Sequence, residues 1–322
     1  MTAPLADPEG SVSPPIEGVV VGFDGSPAAQ VALEWGAAAA VAHGTALTIL
    51  RSRPDAEAPL IELTDDSAAD ELVGDGIADD LATAVEHVNS RHPDLTIHTV
   101  VTPDSPVDSL LAASETADLI AIGSRGMEGF AGLLIGSTVM EVTPYARCPV
   151  VVLYVPDADT EAAREVARHP GSVVVGFDGS GHSQEALTFA LRHAAALGLG
   201  VTVVHISGGS PKHDPVPVSP DADELTAEVR EDLDQAVRIA RNFPAVPVSY
   251  LHAVGRPAGI LIREASGSAL VVVGARGRGG FAQLLLGSVG LQLVIHAECP
   301  VAVVHHLPTD PASSGPAGSA RA

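Results

Sequence analysis

Gly123, Arg125, Gly126, Gly136 and Ser137 fall in the order Gly-Ser-Arg-Gly, nine residues, Gly-Ser, a spacing suited to holding a phosphate. The pattern returns as Gly274, Arg276, Gly277, Gly287 and Ser288. Glycines let the chain turn with positive φ and let a ligand approach the backbone with no Cβ in the way. The Gly-Ser pair is placed to open a helix, whose first N–H groups are unpaired and carry the positive end of the dipole. A phosphate there would meet backbone donors, the Ser137 hydroxyl with Thr138 beside it, and the Arg125 guanidinium. In the second copy it would meet Ser288, Val289 and Arg276. A single copy could equally be a turn without a ligand. Two copies with an arginine inside each turn favour a phosphate-bearing ligand and say nothing of turnover.

The elements that position these turns are also duplicated. Val19-Val-Val-Gly-Phe-Asp-Gly-Ser26 recurs as Val173-Val-Val-Gly-Phe-Asp-Gly-Ser180, and Cys148-Pro149-Val150 as Cys299-Pro300-Val301. The period is that of a domain, so the 322 residues divide into two. The spacing predicts a first domain over 17–156, a linker over 157–170 and a second domain over 171–306. Residues 1–16 and 307–322, rich in Pro, Ala, Ser and Gly, read as disordered tails.

Short runs of Val, Ile and Leu alternate with longer helical patterns, as in βαβ units. Strands are predicted near 18–23, 46–50, 95–101, 118–123 and 149–154, then near 172–177, 200–206, 246–252, 269–274 and 300–305. Leu225, Val229, Leu233, Val237 and Ala240 form an amphipathic stripe. The acidic segments 64–80 and 221–234 read as solvated helix faces.

Composition narrows the class. Hydrophobic residues reach 46% while aromatics are 3%, so the cores must be aliphatic, as in parallel sheets covered on both faces. No apolar run approaches the ~20 residues that cross a bilayer, and the N-terminus has no signal-peptide pattern. One cysteine per half in a matching context suggests small buried residues rather than a disulfide. These features predict a cytoplasmic protein with no membrane partner. A net charge of −23 argues against nucleic acid as a partner. Phosphates must then be held by backbone N–H groups, an arginine or a bound cation.

Gly-x2-Gly-x9-Gly-Ser, following a Val-Val-Gly-Phe-Asp-Gly-Ser strand end and followed by Cys-Pro-Val, resembles the ATP-binding branch of the universal stress protein family in its tandem two-domain form. The resemblance spans both halves. It implies two tandem α/β domains, each a five-stranded parallel sheet in the order 3-2-1-4-5 flanked by helices, with ATP across the carboxyl ends of the strands. It implies that Asp24 and Asp178 contact the nucleoside, with Gly22 and Gly176 just before them in the same site. The backbone near Ser52 and Ile206 would face adenine, and Mg²⁺ would accompany the phosphates without a protein-built metal site. Relatives dimerise along the last strand, so Val150–Tyr154 and Val301–His305 are expected to pair the halves about a pseudo-twofold axis, and a homodimer of the chain is expected by analogy. From the residues alone, each aspartate could accept from ribose or adenine, or merely cap the helix that follows. Two departures stand out. The second strand ends Arg51-Ser52 in the first half but His205-Ile206, nearer the family pattern, in the second. Val139 and Gly290 occupy positions that are small or hydroxylic in many relatives. The second site is therefore expected to be nearer the family pattern.

Other chemistries fit poorly. No Gly-x4-Gly-Lys-Ser/Thr occurs, and Lys212, the only lysine, sits in a Pro-rich stretch. That lysine is also misplaced for a receiver-type phosphoacceptor. The pair His305-His306 lacks Cys or carboxylate at ligand spacing, and no nucleophile elbow appears. Two functions remain: an ATP-binding stress-response regulator whose occupancy controls conformation or partner binding, or a slow ATPase or autophosphorylating enzyme. No catalytic residue is assigned. The missing general base at the expected γ-phosphate favours the regulator.

Overall fold

The computed structural model describes residues 16–54, 61–62, 75–126, 135–155, 171–208, 216–217, 225–278 and 285–306. In the first half the elements are β1 (Val19–Gly22), α1 (Pro27–His43), β2 (Leu47–Ser52), β3 (Ile61–Glu62), α2 (Asp75–Arg91), β4 (Ile97–Thr102), α3 (Pro106–Ala113), β5 (Leu119–Gly123), α4 (Ser137–Tyr145) and β6 (Val150–Leu153). The second half repeats them as β7 (Val173–Phe177), α5 (Gly181–Leu197), β8 (Val201–Ser207), β9 (Val216–Pro217), α6 (Ala227–Ala240), β10 (Val248–Val254), α7 (Pro257–Glu264), β11 (Leu270–Gly274), α8 (Ser288–His296) and β12 (Val301–Val304). Residues 1–15 and 307–322 of the expected tails and the junction 156–170 lie outside the described residues, as do most of the acidic stretch before α2 and Lys212.

Apolar side chains leave β1 on alternate faces. Val19 and Val21 join a core under α1, α2 and α5, while Val20 joins a core under α3, α4, α7 and α8. Burial on both faces is why these strands are unbroken aliphatic runs. Helix starts follow local chemistry. Ser26 caps α1 by accepting from the Ala29 N–H, with Pro27 at the first position, and α1 ends on Gly44 in the left-handed region. Ser105, Ser180 and Thr226 cap α3, α5 and α6 in the same way.

Within each half the five principal strands run 3-2-1-4-5, all parallel, as expected. The expectation of two separate sheets is corrected. The strands form one continuous twelve-stranded sheet in the order β3-β4-β2-β1-β5-β6-β12-β11-β7-β8-β10-β9. The join is the antiparallel pair β6–β12, with Val152 opposite Val301, Val151 opposite Ala302 and Val150 opposite Val303. Each of these strands is buried along its length and would otherwise be an apolar edge, which folded chains avoid. The pairing expected of the last strands thus merges the two sheets. At the outer ends, β3 and β9 add antiparallel to β4 and β10.

Other contacts fix the two halves together. The Tyr154 hydroxyl donates to the Val294 carbonyl at 2.8 Å, and burial pushes that hydroxyl's pKa far up. His193 of α5 lies between the rings of Trp35 and Phe189 and is 3.1 Å from the His43 ring across the interface. Burial, then the neighbouring His43, lower the His193 pKa to about 4.

Candidate functional site

The strand order reverses beside β1 in the first half and beside β7 in the second, opening a crevice at the carboxyl ends between β1 and β5 and between β7 and β11. Each crevice is built from the loop after the first strand, the glycine turn after the fourth, and the N-terminus of the helix behind that turn.

The loop comes first. Asp24 Oδ1 accepts from the Ser26 N–H at 3.0 Å, and Asp178 Oδ1 accepts from the Ser180 N–H at 3.1 Å and the Ser180 hydroxyl at 2.6 Å. Ser26 and Ser180 are themselves the helix caps, so the aspartates brace the loop and are not the capping residues. Burial tends to raise the Asp178 pKa, but hydrogen bonds from Ser180, the Arg278 N–H and Ser183 outweigh it and hold the carboxyl below its ordinary value.

The glycine turns meet these carboxylates. A Cβ on Gly126 would lie 2.5 Å from Asp24 Oδ2, and one on Gly277 would lie 2.6 Å from Asp178 Oδ2. A Cβ on Gly123 or Gly274 would strike the backbone of Ala28 or His182, at 2.6 and 2.7 Å. These glycines therefore serve close approach. The expectation of positive φ within the motif is corrected, because the positive-φ glycines of the crevices are Gly25 at +81° and Gly179 at +74°. An Asx turn braced by Asp24 or Asp178 is what needs the left-handed residue.

Behind the turns, the Gly136 N–H donates to Ser124 O at 2.8 Å and the Gly287 N–H to Ala275 O at 2.7 Å, closing each nine-residue excursion. Gly136 and Gly287 are the N-caps of α4 and α8, and neither helix has a side-chain cap. Ser137 and Ser288 are exposed, and Thr138 and Val289 are half-buried. Arg125 is exposed. Arg276 is half-buried, and its Nε is buried with no hydrogen-bond partner.

The remaining expected residues are less direct. A Cβ on Gly22 would press on Ile122 of β5 and Leu110 of α3, and one on Gly176 on Val273 of β11 and Leu261 of α7, so both glycines face packed side chains. Ser52 donates its hydroxyl to the Asp104 carbonyl at the end of β2. Ile206, the last residue but one of β8, is half-buried. Val139 is buried in the core and Gly290 lies against Leu286, so neither position offers a polar group to the crevice. Burial pushes the Cys148 thiol up to about 12 and raises Cys299 as well, which keeps both thiols unreactive.

One cluster has no counterpart among the expected residues. Arg278 pairs with Asp232, and Asp232 Oδ2 meets His205 Nε2 at 3.0 Å. A signal was present in the sequence: Asp232 falls on the buried face of α6 with Val229, Leu233 and Ala236, where a carboxylate requires a partner.

The fold defines a tandem pair of α/β domains with crevices at the switch points of one sheet. The universal stress protein family model matches residues 16–154 and 171–305, and the chain belongs to that family. A universal stress protein of Mycobacterium tuberculosis is 31% identical over 296 residues, covering 89% of this chain and 95% of the relative. One from Mycolicibacterium smegmatis is 32% identical over 307 residues, covering 89% and 96%. The crystal structure of a universal stress protein from Archaeoglobus fulgidus covers 90% of this chain and 98% of its own, at 21% identity and TM-score 0.59, a likeness of fold.

Proposed function

We propose that the protein is an adenine-nucleotide-binding regulator of a stress response, with ATP as ligand and occupancy controlling conformation. The observation that carries this reading is the start of α4 and α8. Both helices open on a glycine without a side-chain cap, directly behind a turn that carries an arginine. Four of the eight described helices recruit a serine or threonine for that task, whereas α4 and α8 open on a bare glycine, which leaves their N-termini to receive an anion. The buried, unpaired Arg276 Nε is a second donor in want of an acceptor.

ATP fits this set. Its phosphates would lie on the N-terminus of α4 or α8 with the arginine, and its ribose hydroxyls would donate to Asp24 or Asp178. Mg²⁺ would be held through the phosphates, where it offsets their charge in a protein whose net charge is −23.

Turnover is less well supported. The Asp178 carboxyl is held below its ordinary pKa by donors already in place, which makes it a poor general base. A homodimer would need a surface other than β6 and β12, which are spent on each other. The test is calorimetry of nucleotide-free protein with ATP and Mg²⁺, together with radiolabelled ATP to read hydrolysis and transfer. Saturable heat with little label released or incorporated is expected. Absence of binding contradicts the reading, and rapid hydrolysis contradicts its regulatory part.

A further inference from the structure

The two crevices differ at one residue in a way that changes their state. Arg278 follows Gly277, whereas Met127 follows Gly126. The Arg278 N–H donates to Asp178 Oδ2 at 2.9 Å. Its side chain then leaves the β11 side, crosses the loop after β7 and reaches α6. There Nη1 lies 2.9 Å from Asp232 Oδ2, Nη2 meets Asp232 Oδ1, and Nη1 is 3.3 Å from Glu228 Oε1. The crossing runs over Gly179, where a Cβ would overlap both the guanidinium and the Asp232 carboxylate.

The anchor at the far end is firm. The Asp232 side chain is only 3% exposed, and its second contact is the buried His205 at the end of β8. His205 stacks on His252 at 5.5 Å, and His252 Nε2 is 3.1 Å from Ser207 Oγ. A two-pronged guanidinium–carboxylate pair with one partner out of water is geometrically specific and costly to leave half-made.

The first half is built otherwise. A cation enters from the strand, where Arg51 Nη1 donates to the Phe23 carbonyl at 3.4 Å. A Cβ on Gly25 would find Asp80 at 3.4 Å and Arg51 at 3.7 Å, ordinary contact distances. Met127, at the position of Arg278, carries no charge and cannot form the corresponding ion pair.

We propose that Arg278 is a latch that closes the second crevice in the ligand-free protein, so that the second site binds nucleotide more weakly than the first. This rests on the nucleotide reading given above. Asp178, the carboxylate offered to the ribose, is occupied by Ser180 and the Arg278 N–H, and the guanidinium lies over Gly179 of the same loop, held by Asp232 of α6. A ligand entering there must first part Arg278 from Asp232. Its apparent affinity is reduced by the fraction of molecules in which the pair is open. The half with the more family-like strand end is therefore the one held shut.

The test uses the full chain with Gly126→Ala to silence the first site, and ATP with Mg²⁺ in calorimetry. Arg278→Met, Asp232→Asn and the double variant R278M/D232N should each tighten the second site, with Kd falling by roughly tenfold or more as the closed population is lost. The double variant removes both charges and so avoids a stranded buried carboxylate. A second readout needs no ligand: amide exchange over residues 178–183 should speed up in Asp232→Asn. Unchanged or weaker ATP binding in Arg278→Met and in the double variant overturns the latch while leaving nucleotide binding intact. Unchanged exchange overturns it independently of any ligand. No ATP binding by the protein with Gly126 intact, alongside faster exchange in the variant, instead removes the nucleotide reading and leaves the closed contact standing.

Discussion

Asp178 and Gly277 occupy one another's space: the carboxylate oxygen lies 2.6 Å from where a Cβ on the glycine would stand, and Asp24 and Gly126 repeat the relation at 2.5 Å. The glycine is thus defined by the aspartate it faces, and the two together set the width of the crevice. Gly277→Ala and Gly126→Ala should displace the carboxylate and lose more ATP affinity in their own half than Arg276→Ala or Arg125→Ala, which remove one charge-assisted contact of roughly 1.5–3 kcal/mol at most. Calorimetry on each variant gives the ranking. Equal affinity in Gly277→Ala and the unaltered protein would remove the geometric basis of the site.

Gly123 and Gly274 answer to backbone rather than to a side chain, since a Cβ there meets the main chain of Ala28 or His182. Backbone at the first turn of a helix cannot swing aside as a carboxylate can. Gly123→Ala should therefore cost about 1–3 kcal/mol of stability through overpacking, while Gly126→Ala costs clearly less. Urea unfolding of the two variants makes the comparison. A Gly123→Ala protein as stable as its parent would contradict the packing account.

His193 supplies a pH dependence whose sign is fixed. Its pKa falls from 6.5 to about 4 on folding, because it is buried and neutral between Trp35 and Phe189. The unfolded chain takes the proton first as pH falls, so this contribution is complete above pH 6.5 and is lost between 6.5 and about 4. The loss should approach about 1.4 kcal/mol per pH unit in that window. Acidic groups add their own slope, so the measurement is the difference between the unaltered chain and His193→Gln in urea unfolding from pH 7.5 to pH 5. The variant should show the flatter profile. Parallel profiles would mean that His193 accepts a proton in the folded state.

The join β6–β12 makes each half incomplete alone. Residues 16–155 and 171–306 expressed separately should self-associate or aggregate, because Val150–Leu153 and Val301–Val304 then present buried aliphatic edges to solvent. Sedimentation velocity checks this. A well-behaved monomeric half would show that the edge needs no cover.

Much of the fold was legible because its determinants are local. Val19–Gly22 and Leu119–Gly123 announce buried strands by composition, and Ser26-Pro27 and Ser105-Pro106 announce helix starts by capping chemistry. The merging of two sheets into one was not legible as a single sheet, since opposing Val151 to Ala302 is a contact between residues half the chain apart. The short strands β3 and β9 were missed because two residues carry no periodicity. At the site, the glycine spacing marks the turns, and of the two reasons for glycine close approach holds while positive φ does not. The left-handed residues are Gly25 and Gly179, one position after the aspartates. The Arg278–Asp232–His205 chain escaped because its members come from three elements that only the fold brings together.

The most direct measurement is a titration of nucleotide-free, full-length protein with ATP and Mg²⁺, repeated with Gly126→Ala and with Gly277→Ala. Two unequal sites are predicted, the tighter abolished or weakened by Gly126→Ala and the weaker by Gly277→Ala. A protein that shows no saturable ATP binding, or whose binding is untouched by either substitution, contradicts the account.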